Sequence, residues 1–282
     1  LLRQQIETWP MLRDAVAGFD QVEYESFNVK DSEVLTQFNP NRIVSAGAKV
    51  DAATIKQRPC FLCADNLPQE EKGIAFNSAG SKQFVVLCNP FPVLRDHLVI
   101  SSRAHTPQAI NGNLAELLQL TQELGEGWFT LYNGPRCGAS APDHLHFQAC
   151  SSKGVPLFKD AEFFVERKNQ ANVTLLISNG FRLNFLAMQS SDQQALVECF
   201  DNAVSVLAEV TGATEEPMLN LVATYQDRLW TLYIFPRSKH RPDCYFAEGD
   251  KQMLVSPGAI DLAGVMVVPH PDHYARITKW DL

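Results

Sequence analysis

The fold is decided by the stretch from Tyr132 to Cys150, which reads Tyr-Asn-Gly-Pro-Arg-Cys-Gly-Ala-Ser-Ala-Pro-Asp-His-Leu-His-Phe-Gln-Ala-Cys. Its first part is rich in turn-forming residues that leave backbone N–H groups free, which predicts a loop. From His144 onward polar and apolar side chains alternate, which predicts a strand with His144, His146 and Gln148 on one face. Because polar groups are costly to bury without partners, this face is predicted to carry function.

A His-x-His pair on a strand supports two different chemistries. Both imidazoles can ligate one metal ion, which would make the protein a zinc-dependent hydrolase with His144 and His146 as ligands. Alternatively, one imidazole attacks phosphorus and carries the nucleotidyl group as a covalent phosphoramidate. Gln148 favours the second chemistry, because its amide is a poor zinc ligand but can donate a hydrogen bond to a phosphoryl oxygen.

A second motif with chemical content is Cys60-Phe61-Leu62-Cys63. A Cys-x-x-Cys turn lets two thiolates converge on one metal ion, and it also suits a redox pair or two thiols that are simply buried. The sequence has no second Cys-x-x-Cys, so a metal ion would need two further ligands from elsewhere, for which the histidines are the candidates.

Composition narrows the class of protein. The chain has 282 residues, of which 45% are hydrophobic and 20% charged, which is typical of a globular protein. Its net charge of −8 argues against broad nucleic-acid binding, so a phosphate-bearing ligand needs locally clustered donors. Seven scattered cysteines favour free thiols in a reducing compartment, for which the cytoplasm is the default. No apolar run approaches the roughly 20 residues of a membrane-spanning helix, and no secretory signal is evident.

The first half of the chain is predicted to run strand, helix, strand, loop, strand. An N-terminal amphipathic helix is predicted over residues 2–16. The further predicted elements are strands at 22–28, 34–38, 83–89, 97–101 and 128–132, with a helix at 113–126. Just beyond the Asn39-Pro40 turn, Arg42 is either a solvated loop arginine or a group that reaches a carboxylate or a phosphate.

The second half repeats this order more loosely. Strands are predicted at 182–188, 219–225 and 229–235, with a helix at 192–210, then a last strand at 260–268 and a short helix at 272–278. Thr231 and Tyr233 stand where the first half has its histidines, so this copy is predicted to be accessory. A basic run follows that contains Arg237 and Lys239, for which a solvated loop and a phosphate-binding role both remain open.

These motifs resemble the histidine triad (HIT) superfamily. His144-Leu145-His146-Phe147-Gln148 resembles the His-x-His-x-Gln signature of the branch that holds galactose-1-phosphate uridylyltransferase, diadenosine tetraphosphate phosphorylase and the GDP-hexose phosphorylases. The Cys60–Cys63 turn is similar to the structural zinc motif of the uridylyltransferase. No proline separates the two histidines, and in this respect the signature resembles the GDP-hexose phosphorylases more closely.

The resemblance implies a role for each of these residues. The second histidine, His146, would be the nucleophile, and Gln148 would hold a phosphoryl oxygen. A structural zinc ion would be bound by Cys60, Cys63, His105 and His144, with His97 as the alternative to His105. Substrate would be bound by Asn133 and Ser140 of the phosphate loop and by Arg42, together with Arg237 and Lys239 of the basic run.

The resemblance also implies a fold and a reaction. We expect an α+β fold of two HIT-like half-repeats, each an antiparallel sheet plus a helix, that form one intimate unit. Residues 1–153 would carry the catalytic strand and the zinc site, and residues 154–282 would be a degenerate copy. The reaction would be nucleotidyl transfer from a nucleoside diphosphate sugar or dinucleoside polyphosphate to phosphate, a sugar phosphate or water.

Two points stay open within this prediction. A non-catalytic nucleotide-binding protein is the remaining alternative to an enzyme. Members of this branch occur as dimers and as monomers, so a homodimer is one of two expectations for the assembly. Neither a nucleic acid nor a membrane is an expected partner.

Overall fold

A computed structural model describes residues 1–30, 32–43, 51–159, 164–178, 183–279 and 281 of the chain. Within these residues, the strands are β1 (Glu23–Val29), β2 (Ser32–Phe38), β3 (Ile74–Asn77), β4 (Gln83–Cys88), β5 (His97–Ser102), β6 (Trp128–Asn133), β7 (His146–Ser151), β8 (Phe164–Gln170), β9 (Val173–Ser178), β10 (Leu186–Ser190), β11 (Leu219–Gln226), β12 (Leu229–Pro236) and β13 (Val265–Val267). The α-helices are α1 (Leu2–Thr8), α2 (Pro10–Ala17), α3 (Ala52–Gln57), α4 (Leu114–Leu124), α5 (Gln193–Thr211), α6 (Ala259–Leu262) and α7 (Pro271–Arg276). None of the helices in the described segments combines the length and apolar character needed to cross a bilayer.

Ten strands form one antiparallel sheet in the order β3-β4-β5-β7-β6-β11-β12-β10-β9-β8. Read from either edge, the order along the chain is the same: first, second, third, fifth, fourth strand. Helix α4 precedes β6, and helix α5 precedes β11 in the same place. The two halves join where β6 pairs with β11, with Asn133 opposite Asn220. The predicted α+β class is therefore confirmed, while the division at residue 153 stays a prediction.

The two faces of this sheet are buried by different parts of the chain. Helices α4 and α5 cover one face, where Leu117 and Phe200 belong to the same apolar cluster as Phe147 of β7. The other face is covered by the segment 259–265, whose Ile260 packs in a cluster with Phe129 of β6. Because side chains alternate along a strand, His146 and Gln148 lie on this second face, opposite to Phe147.

A small second sheet connects the two ends of the chain. It has the order β1-β2-β13, with β1 and β2 antiparallel and β13 parallel to β2. Val34 of β2 is fully buried and clusters with Met266 and Val268 from the C-terminal segment. The C-terminal segment is thus fixed against the N-terminal strands, above the face of the large sheet that carries His146 and Gln148.

Several predicted elements differ from those observed. The predicted helix over 2–16 is two helices, because Pro10 cannot donate an N–H to continue α1, and Trp9 between them is buried. The predicted strand at 260–268 is helix α6 followed by β13, in which an Asp261 carboxylate accepts from the N–H of Gly258 at the start of α6. Strands β3, β8 and β9 were not predicted.

Other elements were predicted closely. The helix expected at 192–210 is α5, and the Asp192 carboxylate caps it by accepting the Ala195 N–H at 3.1 Å. The strands expected at 219–225 and 229–235 are β11 and β12, each one residue longer. The strand expected at 182–188 begins at Leu186 in the structure, and Arg182 lies outside the described residues.

Candidate functional site

The strand that was expected to carry both histidines begins at His146, two residues later than predicted. His144 lies in the preceding turn, where its N–H donates to the Ala141 carbonyl at 3.1 Å. The next N–H, that of Leu145, donates to the Thr106 carbonyl at 2.7 Å, which holds this turn against a distant loop. The two imidazoles therefore have different surroundings, and the prediction of a common strand face was right for His146 and Gln148 but wrong for His144.

The His144 ring lies in a cluster with two thiols and a second imidazole. Its Nδ1 is 3.3 Å from the Cys60 sulfur, 3.6 Å from the Cys63 sulfur and 3.2 Å from His105 Nδ1. The Cys63 sulfur is 3.2 Å from the same His105 nitrogen. A tetrahedral zinc ion bound at the usual Zn–S and Zn–N distances separates such ligand atoms by about 3.3–3.8 Å. The donor types and their spacing therefore fit a zinc ion, and the cluster can hold a metal.

Hydrogen bonds already orient the His144 ring for this purpose. Its Nε2 lies 2.7 Å from the Ser102 carbonyl, which can only accept, so Nε2 carries the proton and Nδ1 has its lone pair toward the thiols. Burial lowers the pKa of His144 and favours this neutral form. Burial, and next the neighbouring Cys60 thiol, raise the pKa of Cys63, and a bound cation would offset this by stabilising the thiolates.

His146 is held in a different tautomer. Its Nδ1 lies 2.8 Å from the carbonyl oxygen of His144, so Nδ1 donates and Nε2 has the free lone pair. The ring is only 4% exposed, and burial lowers its pKa to about 4. Nε2 has no hydrogen-bond partner among the residues that the structure describes. His146 is also outside the four-residue metal cluster, so the geometry does not favour the hydrolase with His144 and His146 on one ion.

Gln108, which was not predicted, fixes the backbone of His146. Its Oε1 accepts the His146 N–H at 2.8 Å, while its Nε2 donates to the carbonyls of His146 and Asn133 at 3.1 and 2.9 Å. The pairing of β6 with β7 ends at Leu131 and Gln148, and beyond it the Gln108 side chain bridges the two strands. The two strands therefore separate between His146 and Asn133, and the buried Gln108 amide supplies hydrogen bonds to the backbone groups that no longer pair with each other.

Gln148 is oriented by His97. The Val93 N–H donates to His97 Nδ1 at 3.1 Å, so the proton of this ring is on Nε2, which donates to Gln148 Oε1 at 2.7 Å. The Gln148 amide is thereby fixed with its oxygen toward His97 and its NH₂ group available to another acceptor. His97 is thus beside Gln148 and not in the metal cluster, where His105 is found.

Asn133 lies next to His146, across the Gln108 bridge. Its Oδ1 accepts from Asn220 Nδ2 at 2.7 Å and from the Ala259 N–H at 2.8 Å. Ser140 of the same loop is exposed, and its carbonyl accepts from Arg58 at 3.4 Å. Asn133 is therefore close to His146, whereas Ser140 is at the surface of the loop.

Arg42 lines a cleft of about 240 Å³ together with Asn39, Asn41, Phe19, Gly18, Met11, Asp14, Ala15, Pro90, Phe91 and Pro92. Its Nη1 donates to the Phe91 carbonyl at 2.5 Å. Phe91 precedes Val93, whose N–H donates to His97, by two residues, so the cleft adjoins the loop that holds His97 on the Gln148 side of the site. Burial, and to a smaller extent the charge of Arg42, lower the pKa of His97 to about 4. At its base, Asn39 is buried and its Oδ1 has no hydrogen-bond partner within the described ranges.

The two basic residues from the second half have contrasting surroundings. Arg237 donates from Nη1 to Asn220 Oδ1 at 2.8 Å and from Nη2 to the His240 carbonyl at 2.8 Å. Lys239 pairs with Asp243 at 2.6 Å, and both side chains are exposed. Arg237 is therefore joined to Asn133 through Asn220, and Lys239 lies in a solvated ion pair.

Sequence reasoning missed Gln108, Asn220 and the role of His97. A lone glutamine or histidine beside a strand carries no pattern that predicts its partner. Asn220 did give a signal, because it is a polar residue within the apolar run of β11 and is fully buried, and a buried amide requires hydrogen-bond partners.

Comparisons with known proteins agree with this architecture. A family model described as "Domain of unknown function (DUF4922)" matches residues 1–151. No curated protein sequence matches the chain. The crystal structure of yeast Ap4A phosphorylase Apa2 in complex with Ap4A aligns with a TM-score of 0.61 at 15% identity, covering 99% of this chain and 92% of that one. A DUF4931 family protein from Bacillus cereus aligns with a TM-score of 0.42 at 18% identity, covering 68% of this chain and 96% of that one. The Apa2 alignment shows that the chain has the fold expected from its resemblance to this branch of the histidine triad superfamily.

Proposed function

The chain belongs to the DUF4922 family, and we propose that it is a nucleotidyltransferase of the phosphorylase type with His146 as its nucleophile. The observation that carries the proposal is the state of the His146 ring. It is buried and neutral, its Nδ1 proton is held by the His144 carbonyl, and its Nε2 lone pair is free. This is the form of imidazole that attacks an electrophilic phosphorus.

In the first step, the Nε2 lone pair of His146 attacks the α-phosphorus of the substrate. A P–N bond forms, and the P–O bond to the leaving group breaks, so the leaving phosphate departs with the electron pair. The ring becomes positively charged as this happens. The Nδ1–H···O=C bond to His144 then strengthens, because a charged donor makes the stronger hydrogen bond.

In the second step, an oxygen of the acceptor attacks the same phosphorus from the side that the leaving group vacated. The P–N bond breaks and its electron pair returns to Nε2, which regenerates the neutral ring. Inorganic phosphate and sugar phosphates are the acceptors that we propose.

The residues around His146 supply donors for the phosphate oxygens. His97 turns the Gln148 amide so that its NH₂ group is available, and Asn133 has its amide oxygen already occupied, so its NH₂ group is available as well. Arg42 adds a positive charge on the Gln148 side. These groups would hold the negative charge that spreads over the phosphoryl oxygens in the transition state.

We propose a structural zinc ion held by Cys60, Cys63, His105 and His144. When bound, it would join the Cys60–Cys63 turn to the residue whose carbonyl orients the nucleophile. A catalytic group must be held to within about 0.5 Å of its productive position. A zinc ligand two positions before the proposed nucleophile would help to hold it there.

The yeast Ap4A phosphorylase was crystallised with Ap4A, so a dinucleoside polyphosphate is the first substrate class that we propose, followed by nucleoside diphosphate sugars. The test is to incubate the zinc-loaded protein with Ap4A, with and without inorganic phosphate, and to separate the nucleotides by chromatography. With phosphate, the proposal predicts continuous formation of ADP and ATP in equal amounts, whereas without phosphate it predicts no ADP and at most one ATP per protein molecule. Binding without turnover across both substrate classes would contradict the proposal and favour a nucleotide-binding protein.

A further inference from the structure

We infer that Arg237, in the second half of the chain, is a positioning residue for the phosphate-binding amide of Asn133, and that it acts through Asn220. This inference rests on the proposed function, because it concerns how the phosphate groups of a nucleotide are held beside His146. It gives the second half of the chain a specific contribution to the site in the first half.

The first link is the hydrogen bond from Arg237 to Asn220. A guanidinium has donors and no acceptor, so it must face the oxygen of the Asn220 amide, which it does at 2.8 Å. Arg237 cannot turn away easily, because Nη1 also donates to the Pro257 carbonyl at 3.2 Å and Nη2 donates to the His240 carbonyl at 2.8 Å. The orientation of the Asn220 amide is therefore determined by a group that cannot reverse its own polarity.

The second link runs from Asn220 to Asn133. With its oxygen toward Arg237, Asn220 presents its NH₂ group to Asn133 Oδ1 at 2.7 Å and to the Cys137 carbonyl at 2.8 Å. The Ala259 N–H donates to the same Asn133 oxygen at 2.8 Å. Both groups that face Asn133 Oδ1 are thus donors, and this fixes the Asn133 amide as firmly as Arg237 fixes that of Asn220.

The two hydrogen bonds to Asn133 Oδ1 determine which group of the Asn133 amide can bind a ligand. With Oδ1 occupied twice, the Asn133 amide has only its NH₂ group left for a ligand, and Nδ2 makes no hydrogen bond within the described part of the chain. An NH₂ group donates to a phosphate oxygen, whereas the reversed amide would present an oxygen and repel it. Gln108 bonds to the carbonyls of both Asn133 and His146, so this donor lies next to the nucleophile.

The same reasoning explains the unusual burial of these polar groups. Asn220 is 0% exposed at the end of the pairing between β6 and β11, and Asn133 is 8% exposed opposite to it. Burial lowers the pKa of Arg237, so its charge is held there at a cost. Apolar residues in place of Arg237 and Asn220 would avoid that cost, but they would leave the Asn133 amide free to turn either way.

The test is a double-mutant cycle on Asn133 and Asn220 with ADP binding as the readout. Asn220→Asp keeps the shape and the bond to Arg237 but removes the donor, so the Asn133 amide should reverse to put its NH₂ group on the new carboxylate. We expect ADP to bind about 10- to 100-fold more weakly, the range for losing a hydrogen bond to a charged group. In the Asn133→Ala background, Asn220→Asp should have no further effect on ADP affinity.

Controls for phosphate dependence and folding, and a pair of Arg237 variants, complete the experiment. Adenosine, which lacks phosphate, should bind wild type and Asn220→Asp alike, and the midpoint of thermal unfolding and the zinc content should show that both are folded. Arg237→Gln, whose amide can present either atom to Asn220, should weaken ADP binding more than Arg237→Lys, which can only donate.

Equal ADP affinity of wild type and Asn220→Asp, or an additive effect of the two substitutions, would overturn the inference. A protein that shows the expected cycle but forms no product from Ap4A would contradict the proposed function and support the positioning role. If wild type binds neither ADP nor Ap4A, both are contradicted.

Discussion

His146 donates from its Nδ1 to the main-chain carbonyl of His144 at 2.8 Å, while the His144 side chain lies among the two thiols and His105. His144 therefore contributes its ring to the candidate metal cluster and its backbone carbonyl to the orientation of His146. Variants at the cluster and at His146 separate these two roles.

Removal of a proposed metal ligand should be distinguishable from removal of the proposed nucleophile. Cys60→Ser should lose zinc and lower the midpoint of thermal unfolding by on the order of 10 °C, because a structural metal contributes to folding free energy. His146→Ala should keep zinc and its unfolding midpoint but lose turnover. Metal analysis and calorimetry on both variants test this, and loss of zinc in His146→Ala would place both histidines on one ion.

The buried amide of Gln108 should be important for both stability and rate. Gln108→Leu leaves the His146 N–H and two carbonyls without partners, so we expect a loss of about 3 kcal/mol in the free energy of unfolding. Gln122→Leu is the matched control, because the Gln122 side chain is exposed and donates to the Tyr225 hydroxyl at 3.1 Å, and this substitution should change stability by less than about 0.5 kcal/mol. Denaturant titration of both variants gives the comparison, and equal losses would contradict this role for Gln108.

Substitution of His97 should lower catalytic efficiency, whereas substitution of His105 should lower the zinc content. His97→Phe should lower kcat/KM by about tenfold to a hundredfold, because Gln148 loses the hydrogen bond that orients its amide. It should leave the zinc content unchanged, whereas His105→Ala should reduce it. The opposite pattern, with zinc lost in His97→Phe and retained in His105→Ala, would make His97 the metal ligand.

Glu71 should make the stability of the protein depend on pH. Burial raises its pKa to about 7, so the folded state binds a proton more tightly than the unfolded state. Its contribution is fully present below about pH 4.5, the ordinary range of a glutamate pKa, and is lost as pH rises through 7. Glu71→Gln, which imitates the protonated acid, should therefore be more stable than wild type at pH 8 and similar at pH 4.5.

The exposed neighbour Glu70 provides the control for this measurement. Unfolding by urea at several pH values should show the same pH dependence in Glu70→Gln as in wild type and a smaller one in Glu71→Gln. An unchanged pH dependence in Glu71→Gln would show that the Glu71 carboxyl is not responsible.

The alternation of polar and apolar residues predicted the strand face that carries His146 and Gln148, because side-chain direction in a strand is a local property. It could not predict where the strand begins. The start of the strand depends on the Leu145 N–H, which donates to the carbonyl of Thr106. It also depends on the ring of His144, whose Nδ1 lies beside the Cys60 sulfur. These contacts join residues far apart in sequence, so no local pattern contains them.

The other features that the sequence analysis did not predict also have specific physical causes. The break between α1 and α2 was readable from Pro10, which cannot donate an N–H. Strand β8 was not readable, because its sequence Phe-Val-Glu-Arg-Lys-Asn-Gln is mostly polar and, among the described strands, it lies at the edge of the sheet beside β9. Gln108 gave no signal, since its partners are 25 and 38 residues away along the chain.

The most direct test of the account is to look for a nucleotidyl group on His146. The protein is mixed with Ap4A without an acceptor, quenched in alkali and measured by intact-protein mass spectrometry. We predict a mass increase of one adenylyl group that is stable in alkali, is lost in acid, maps to His146 and disappears when phosphate is added. Absence of any adduct in a protein that turns over Ap4A, or an adduct that persists in His146→Ala, would contradict the account.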